Sequence, residues 1–287
     1  MKILVTGSEG FLGSEIINIL NKKKKFKLYG LSRKTRSTSN YNIIKLDLLK
    51  QNIKKIFKEN KFDILIHCAW YTNPKDYLYS KKNLTWLKIS KTLVNEFYNS
   101  GGKQFVGIGS NAEFRTELKV NKISEKEYSF GAETLYGKCK SKLNHYLLKN
   151  YKNSKWIRVF WLFGKKEKKG RYIQEMISTL RKNRSFKLNF PNLSRDYIST
   201  EQAAKLIVKI ILDKKIGRAF NVCNGKSIAL EKISKIALKE LKLGKIIYGK
   251  NKEFNSIFGE VKKIINLKNF KTYNVERDLI KHIKKFY

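Results

Sequence analysis

The opening residues constrain this chain more than any other stretch. Lys2-Ile-Leu-Val-Thr-Gly-Ser-Glu-Gly-Phe-Leu-Gly13 sets a short apolar run, Ile3 to Val5, ahead of three glycines, Gly7, Gly10 and Gly13. Phe11, Leu12, Ile16, Ile17 and Leu20 then recur at helical spacing. Strand, glycine turn and helix in that order make a cradle for a dinucleotide pyrophosphate. Glycine lets the backbone turn tightly and approach the phosphates, and the helix start offers unpaired N–H groups and a positive dipole end. The spacing is G-x-x-G-x-x-G rather than G-x-G-x-x-G, and an ordinary glycine-rich turn can carry the same letters. The strand before it and the helix after it are the context such a motif needs. Gly7, Gly10, Phe11, Leu12 and Gly13 are therefore the expected phosphate contacts.

Further along, strands and helices alternate. Phe26 to Leu31 and Ile43 to Leu46 read as strands, Ile53 to Phe57 as a short helix, and Phe62 to Ala69 as a strand apolar enough for burial on both faces. Leu84 to Phe97 suits a long helix stopped at Gly101-Gly102. A strand at Gln104 to Ile108, a helix at Leu135 to Leu148 and a strand at Trp156 to Phe160 complete the series. This is the pattern of an α/β fold, a Rossmann-type doubly wound parallel sheet. Residues 1–164 are expected to form the dinucleotide-binding core. Residues 165–287 are expected to form mostly a smaller substrate-binding lobe, with segments returning to the core. There, helices are expected at Tyr172 to Leu180, Ala203 to Leu212 and Leu230 to Leu241, and strands at Phe186 to Leu188 and Ala219 to Val222.

Composition excludes several classes. With 287 residues, 41% hydrophobic and two prolines, the chain is globular rather than disordered. No apolar run approaches the ~18–20 residues of a membrane span. The short N-terminal apolar run leads straight into the fold, so no signal peptide is expected. Cys68, Cys139 and Cys223 are scattered, which fits reduced thiols in the cytoplasm better than disulfides or a metal site. A net charge of +40 raises nucleic acid as a partner. The basic residues are mostly lysines spread over nearly every element, with one tight cluster at Lys22–Lys25, and that pattern argues against a nucleic-acid face. It would still draw in an anionic substrate.

Chemistry centres on Tyr136-Gly-Lys-Cys-Lys140, near the start of a predicted helix. Positions i and i+4 share one helical face, so the Tyr136 hydroxyl and the Lys140 ammonium can meet at one spot. A nearby ammonium favours the phenolate and makes the phenol a better proton donor and acceptor near neutral pH. Ser110 ends the fifth strand in Val106-Gly-Ile-Gly-Ser110-Asn-Ala-Glu-Phe114, and doubly wound sheets bind ligands at the carboxyl ends of their strands. Its hydroxyl is placed to hold a substrate carbonyl, although a turn-forming serine reads the same way.

Together, Gly7-x-x-Gly10-x-x-Gly13, Ser110, Tyr136 and Lys140 resemble the extended short-chain dehydrogenase/reductase family, the nucleotide-sugar epimerases, dehydratases and ketoreductases. Other segments agree along residues 2 to about 241. Asp47-Leu48 resembles the acidic segment that holds the adenine. His67-Cys68-Ala69, with Trp70 next, resembles the strand end lining the cofactor, and Asn83 resembles the family's helix Asn. Arg158 to Gly164, Arg195-Asp-Tyr-Ile198 and Phe220-Asn-Val222 with Gly225 match later motifs. The resemblance implies that Arg195, aided by Arg171, holds a nucleotide diphosphate. It also implies that Tyr71, Thr72, Ser110, Asn111, Ala112 and Tyr136 face the sugar, and that two copies pair through a four-helix bundle. No metal is implied.

Departures from the family narrow the activity. The Asp-Glu pair that serves dehydration is replaced by Asn111-Ala112, and no cysteine follows Ser110 as it does in the double epimerases. Simple hydride chemistry remains. Gly109 to Phe114 with Thr134 to Lys140 is similar to a ketoreductase branch that includes CDP-abequose synthase-like enzymes. Reduction of a 4-keto nucleotide sugar is the leading expectation, and C4 epimerisation with retained NAD is the alternative. A non-catalytic dinucleotide- or nucleic-acid-binding protein is the alternative of another class. The second strand ends Gly30-Leu-Ser32-Arg33 with no acid beside it in sequence. An acid there serves NAD, whereas Arg or Ser serves the 2′-phosphate of NADP. Ser32 and Arg33 therefore point to NADPH, with NADH the other possibility.

Overall fold

The computed structural model describes residues 1–33, 40–213, 217–267 and 273–286. The chain runs through β1 (Lys2–Thr6), α1 (Gly13–Asn21), β2 (Lys27–Ser32), β3 (Asn42–Lys45), α2 (Lys54–Glu59), β4 (Ile64–His67), α3 (Lys82–Asn99) and β5 (Gln104–Ser110). A 3-10 turn at Asn111–Glu113 and β6 (Val120–Ile123) lead to α4 (Leu135–Asn150) and β7 (Ser154–Val159). Next come β8 (Trp161–Phe163), α5 (Tyr172–Arg181), β9 (Ser185–Leu188), β10 (Ser194–Arg195), β11 (Tyr197–Ser199), α6 (Thr200–Leu212) and β12 (Ala219–Val222). The rest is β13 (Ile228–Ala229), α7 (Leu230–Leu241), β14 (Lys245–Tyr248), β15 (Ser256–Gly259), α8 (Lys262–Ile265) and α9 (Val275–Phe286).

Seven strands form the main sheet in the order β12-β7-β5-β4-β1-β2-β3. The pairs β2–β3, β1–β2, β1–β4, β4–β5 and β5–β7 are all parallel. This is the doubly wound α/β sheet expected from the alternation of elements. Ile3, Leu4 and Val5 of β1 are fully buried, as a central parallel strand requires. From β1 the chain winds outward through β2 and β3, then returns to place β4 on the other side of β1. That reversal opens a crevice at the carboxyl ends of β1 and β4, where Thr6 lies in register with both Leu31 and His67. Helix α3 stops where its glycines require. Gly101 adopts φ +84°, and the N–H groups of Gly101 and Gly102 return to the carbonyls of Tyr98 and Phe97 at 3.0 Å each.

The chain divides into two compact units. Unit 1 holds residues 1–115, 126–159 and 204–220, and unit 2 holds 116–125, 160–203 and 221–287. The core of unit 1 packs Leu65, Val94, Phe97, Phe105, Leu143 and Trp156 between sheet and helices. Unit 2 carries the four-stranded sheet β13-β10-β15-β6 and the strand pairs β11-β8 and β14-β9. Its core gathers Ile173, Met176 and Leu180 of α5, Ile233 of α7 and Leu279 of α9. Strands β6, β14 and β15 were not apparent in the sequence. They are four residues long, and their pairing partners lie far away: β6 pairs with β15, and β9 with β14. Ser199 caps α6, its Oγ accepting from the Gln202 N–H at 3.3 Å.

Candidate active site

The glycine turn is built by close approach. Gly7 adopts φ +66°, which favours glycine, and a Cβ there would stand 2.9 Å from the Ala69 nitrogen at the end of β4. A Cβ on Gly13 would stand 2.2 Å from the Gly7 carbonyl oxygen, so the start of α1 folds back onto the turn only because position 13 is bare. Phe11 is half-buried and Leu12 buried. Thr6 ties the two strand ends together: its Oγ1 lies 2.8 Å from His67 Nδ1 and accepts from the Ala69 N–H at 3.2 Å. His67 Nε2 reaches Ser90 Oγ at 2.8 Å. Burial, helped by the Lys140 charge, pushes the His67 pKa down to about 3, so this imidazole is neutral and structural. Bare glycines at a helix start, set where the strand order reverses, fit a dinucleotide pyrophosphate.

Around that cradle, Asp47 is half-buried, and its Oδ1 accepts from the Leu49 N–H at 3.0 Å. Leu48 belongs to the core. Desolvation raises the Cys68 thiol to about 12, which rules it out as a nucleophile at neutral pH. At the end of β2, Ser32 is buried, Arg33 is exposed, and the Ser32 hydroxyl donates to the carboxylate of Glu9. No acid neighbours Ser32 in sequence, yet the fold supplies one from the glycine turn.

Ser110 ends β5 and caps the 3-10 turn, its Oγ accepting from the Ala112 N–H at 3.2 Å and lying 3.4 Å from Asn111 Oδ1. Thr134 caps α4 by accepting from the Gly137 N–H at 3.1 Å. Tyr136 and Lys140 then share the buried face of that helix. Gly137 lets the helix press on the turn: a Cβ there would lie 1.9 Å from the Ala112 carbonyl oxygen. One contact, glycine on backbone, thus joins the Ser110 turn to the Tyr136 helix. Lys140 Nζ donates to the Ile108 carbonyl at 2.8 Å and sits 3.8 Å from the centroid of the Trp70 ring and 5.8 Å from that of Tyr136. Desolvation brings its pKa down to about 7, against an opposing pull from Glu113.

Trp70 is held in turn by Asn83. The indole N–H donates to Asn83 Oδ1 at 2.8 Å, while Asn83 Nδ2 donates to the carbonyls of Tyr77 at 2.7 Å and Ser80 at 2.9 Å. Asn83 is fully buried and positions Trp70 and the 77–80 loop. The Tyr136 ring meets the edges of Tyr77 and Trp70 at 5.1 and 6.5 Å. Tyr71 donates to Asp76 at 2.7 Å and carries Lys82 over its face at 4.7 Å, and Thr72 beside it is half-buried.

Glu113 is the feature that the sequence reading passed over. Its side chain and that of Arg158 are both 0% exposed and form an ion pair at 3.1 Å. Glu113 also accepts from the Ser110 N–H at 2.7 Å, the Ser129 hydroxyl at 3.0 Å and the Trp156 indole at 3.0 Å. Arg158 completes its fork on the carbonyls of Lys126 and Glu127, at 2.8 and 2.9 Å. Two signals were available. Ser110-x-x-Glu113 is a capping box, and the structure closes it. Gly107 and Gly109 lie in register with Trp156 and Arg158, and a Cβ on either would meet the indole at 2.4 and 2.3 Å. The alternating glycines of β5 make the room that the large side chains of β7 fill.

Arg171 and Arg195 belong to unit 2. Arg195 Nη1 donates to the carbonyls of Ser194 at 2.8 Å and Asn255 at 2.9 Å, and its guanidinium stands 5.3 Å from the Trp161 ring centroid. Asp196 beside it accepts the N–H groups of Asn224, Gly225 and Gly259 at 2.7, 2.9 and 3.2 Å. These bonds tie the Arg-Asp-Tyr-Ile segment to the turn after β12 and to the end of β15. Arg171 precedes α5, and its charge works against the burial that lifts the Glu167 carboxyl to about 8. Among the described residues, no cluster of His, Cys, Asp and Glu could hold a metal, and no helix is long and apolar enough to cross a membrane.

Comparison with known proteins bears on the family and the fold. The chain is 20% identical to GDP-6-deoxy-D-talose 4-dehydrogenase of Aggregatibacter actinomycetemcomitans over 93% of its own length and 91% of the relative's. It is 24% identical to dTDP-D-glucose 4,6-dehydratase of Dictyostelium discoideum over 77% of its length and 58% of that protein's. UDP-glucuronic acid 4-epimerase of Bacillus cereus, solved with UDP-glucuronic acid and NAD, shares the fold at a TM-score of 0.84 and 17% identity, covering 100% of both chains. The model of the NAD dependent epimerase/dehydratase family matches residues 3–223. With its glycine cradle at the sheet's switch point and Tyr136 and Lys140 on one helix face, this chain belongs to the NAD dependent epimerase/dehydratase family.

Proposed function

We propose that this protein reduces the 4-keto group of a nucleotide-activated sugar at C4, in the cytoplasmic supply of deoxy sugars or surface-polysaccharide precursors. The observation that carries this reading is the fate of the acid in the turn after β5. Dehydration needs a free acid and base beside the sugar. Asn111 and Ala112 supply neither, and Glu113 is fully buried on Arg158 and Trp156. What remains is a proton donor and a cation suited to hydride exchange at a carbonyl.

A bound nicotinamide supplies the hydride. Tyr136 gives its proton to the oxygen of the developing alkoxide, Lys140 stabilises the phenolate left behind and holds the nicotinamide ribose, and Ser110 orients the carbonyl. Arg195 and Arg171 are the proposed holders of the diphosphate. The relative named for 4-dehydrogenation supports this reading, because dehydrogenation at C4 run in reverse is ketoreduction. Two copies are proposed to pair through α3 and α4.

The test follows dinucleotide oxidation with a panel of 4-keto nucleotide sugars. Turnover is expected with at least one, and Tyr136→Phe should lower kcat by roughly 10²–10⁴-fold with dinucleotide affinity unchanged. Full turnover in that variant refutes the assignment. Interconversion of C4 epimers by protein purified with retained NAD, without added dinucleotide, would replace ketoreduction by epimerisation. Salt-sensitive retention on DNA with no oxidation of any keto sugar would replace both.

A further inference from the structure

We propose that Trp70 is a positioning residue for the hydride step: its indole face holds the Lys140 ammonium in place beside Tyr136. The inference rests on the reading of Tyr136 as proton donor and Lys140 as its cation, and it adds to that pair a side chain that neither reacts nor carries charge.

The indole is itself fixed. Its N–H donates to Asn83 Oδ1 at 2.8 Å, and Asn83 is fully buried on α3 with its own amide nitrogen on the Tyr77 and Ser80 carbonyls. Trp86, three residues further along α3, packs against Trp70 with 6.2 Å between ring centroids. Lys140 comes from α4 and sets Nζ 3.8 Å from the Trp70 centroid, nearer than the 5.8 Å to the ring of Tyr136. The same Nζ donates to the Ile108 carbonyl at 2.8 Å. Glu113, the carboxylate whose charge reaches Lys140, is engaged by Arg158. The ammonium thus lies between a strand carbonyl and a ring face.

A buried ammonium needs negative potential in place of water. One carbonyl serves one N–H. The face of an indole, the best of the aromatic side chains for this contact, serves a second, and the attraction is strongest where water is excluded. The third N–H is then available to the nicotinamide ribose of the proposed mechanism. A lysine carries its charge on a flexible four-carbon stem, and a slot between carbonyl and ring removes that freedom before the reaction rather than during it. A carboxylate at the position of the ring would also hold the ammonium. It would oppose the phenolate that Tyr136 becomes, because a neighbouring negative charge disfavours a second one. The ring attracts the cation and adds no charge of its own.

Isotopically labelled tryptophan in the full-length protein, followed by NMR, reports the contact directly, because Trp70, Trp86, Trp156 and Trp161 give one indole N–H resonance each. Trp70→Phe assigns the Trp70 resonance by its loss. That resonance should move from about pH 6 to 9, as Lys140, with its pKa brought to about 7, loses its proton, and should stay fixed in Lys140→Met. The other titratable groups facing Lys140 are Glu113 after β5, His67 and Cys68 at the end of β4, and Tyr136 and Cys139 on its own helix. All of them remain in Lys140→Met, which separates their effect from that of the ammonium. A second arm compares turnover of 4-keto nucleotide sugars. Trp70→Leu keeps apolar bulk without a π face and should lower kcat roughly tenfold or more with KM little changed, and Trp70→Phe should restore most of the loss. A Trp70 resonance unmoved by pH in the unaltered protein, or moving equally in Lys140→Met, overturns the proposal. So does wild-type kcat in Trp70→Leu. Absence of turnover in the unaltered protein overturns the ketoreductase reading, and the resonance still decides whether ring and ammonium meet.

Discussion

Lys140→Met isolates the cost of placing an ammonium at the centre of the site. Lys140 is 4% exposed, with Nζ on the Ile108 carbonyl and under the Trp70 face. Burial takes its pKa from the ordinary 10.5 down to about 7. The folded protein therefore binds this proton less tightly than the unfolded chain. Between pH 7 and 10.5 the unfolded state holds more protons, so Lys140 makes stability rise with pH across that window and contributes no slope below it. The whole displacement is worth roughly 5 kcal/mol at about 1.4 kcal/mol per pH unit. Integrated from pH 7 to 9 with the site half-protonated at the start, about 2 kcal/mol should appear. Urea unfolding of the wild type and Lys140→Met, followed by tryptophan fluorescence at pH 6, 7, 8 and 9, measures it. The Met variant should match or exceed the wild type at pH 6, because losing one hydrogen bond of about 1 kcal/mol is outweighed by removing a desolvated charge. The wild type should then gain about 2 kcal/mol on it between pH 7 and 9. A wild-type minus variant difference that stays flat over that interval would refute the desolvated lysine. Titration of the other lysines is shared by both proteins and cancels.

Three further outcomes follow from the same geometry. Gly137→Ala puts a methyl 1.9 Å from a backbone carbonyl that cannot rotate away, so it should cost about 1–3 kcal/mol of stability and separate Ser110 from Tyr136. Turnover normalised to folded protein should fall with it, and a variant of wild-type melting temperature and turnover would contradict the contact. Glu113→Gln leaves Arg158 buried without its counter-charge and should destabilise by about 3–5 kcal/mol in a thermal melt, against near zero if the pair were exposed. Dimerisation through α3 and α4 would bring together the exposed Lys82, Lys88, Lys138 and Lys142 of two copies, alongside the exposed Leu84. Sedimentation should show the dimer strengthening as salt rises from about 0.02 to 0.3 M, and a monomer at every salt would exclude that pairing.

What could be read in advance was whatever local spacing encodes. The glycine turn sits between a strand and a helix seen as periodicity, and Tyr136 and Lys140 share a face because i and i+4 always do. What could not be read depends on pairings between distant segments. Glu9 meets Ser32 through the register of β1 with β2 and the bare Gly30, neither of which marks position 9 in the sequence. Trp70 reaches Lys140 only after Asn83, thirteen residues on in α3, has fixed its indole. Glu113 carried a legible capping signal, but its inward direction depends on Arg158, forty-five residues away on β7. Strands β6 and β15 acquire their identity from each other, so neither shows a strong pattern alone.

The distribution of charge gives the site its logic. The chain has 63 basic and 23 acidic residues, so its field attracts anions of every kind. Such a field cannot discriminate. It favours NADPH over NADH and any nucleotide diphosphate over a neutral sugar, simply in proportion to charge, and at physiological salt it decays over about 8 Å. Selection among anions must come from groups in contact with the ligand. In a lysine-rich chain, one more cation at the cofactor site adds little contrast, because the background is already positive. One carboxylate adds a great deal. Glu9 reaches the Ser32 hydroxyl at the end of β2, and Glu113 accepts from the Ser110 N–H and pairs with Arg158.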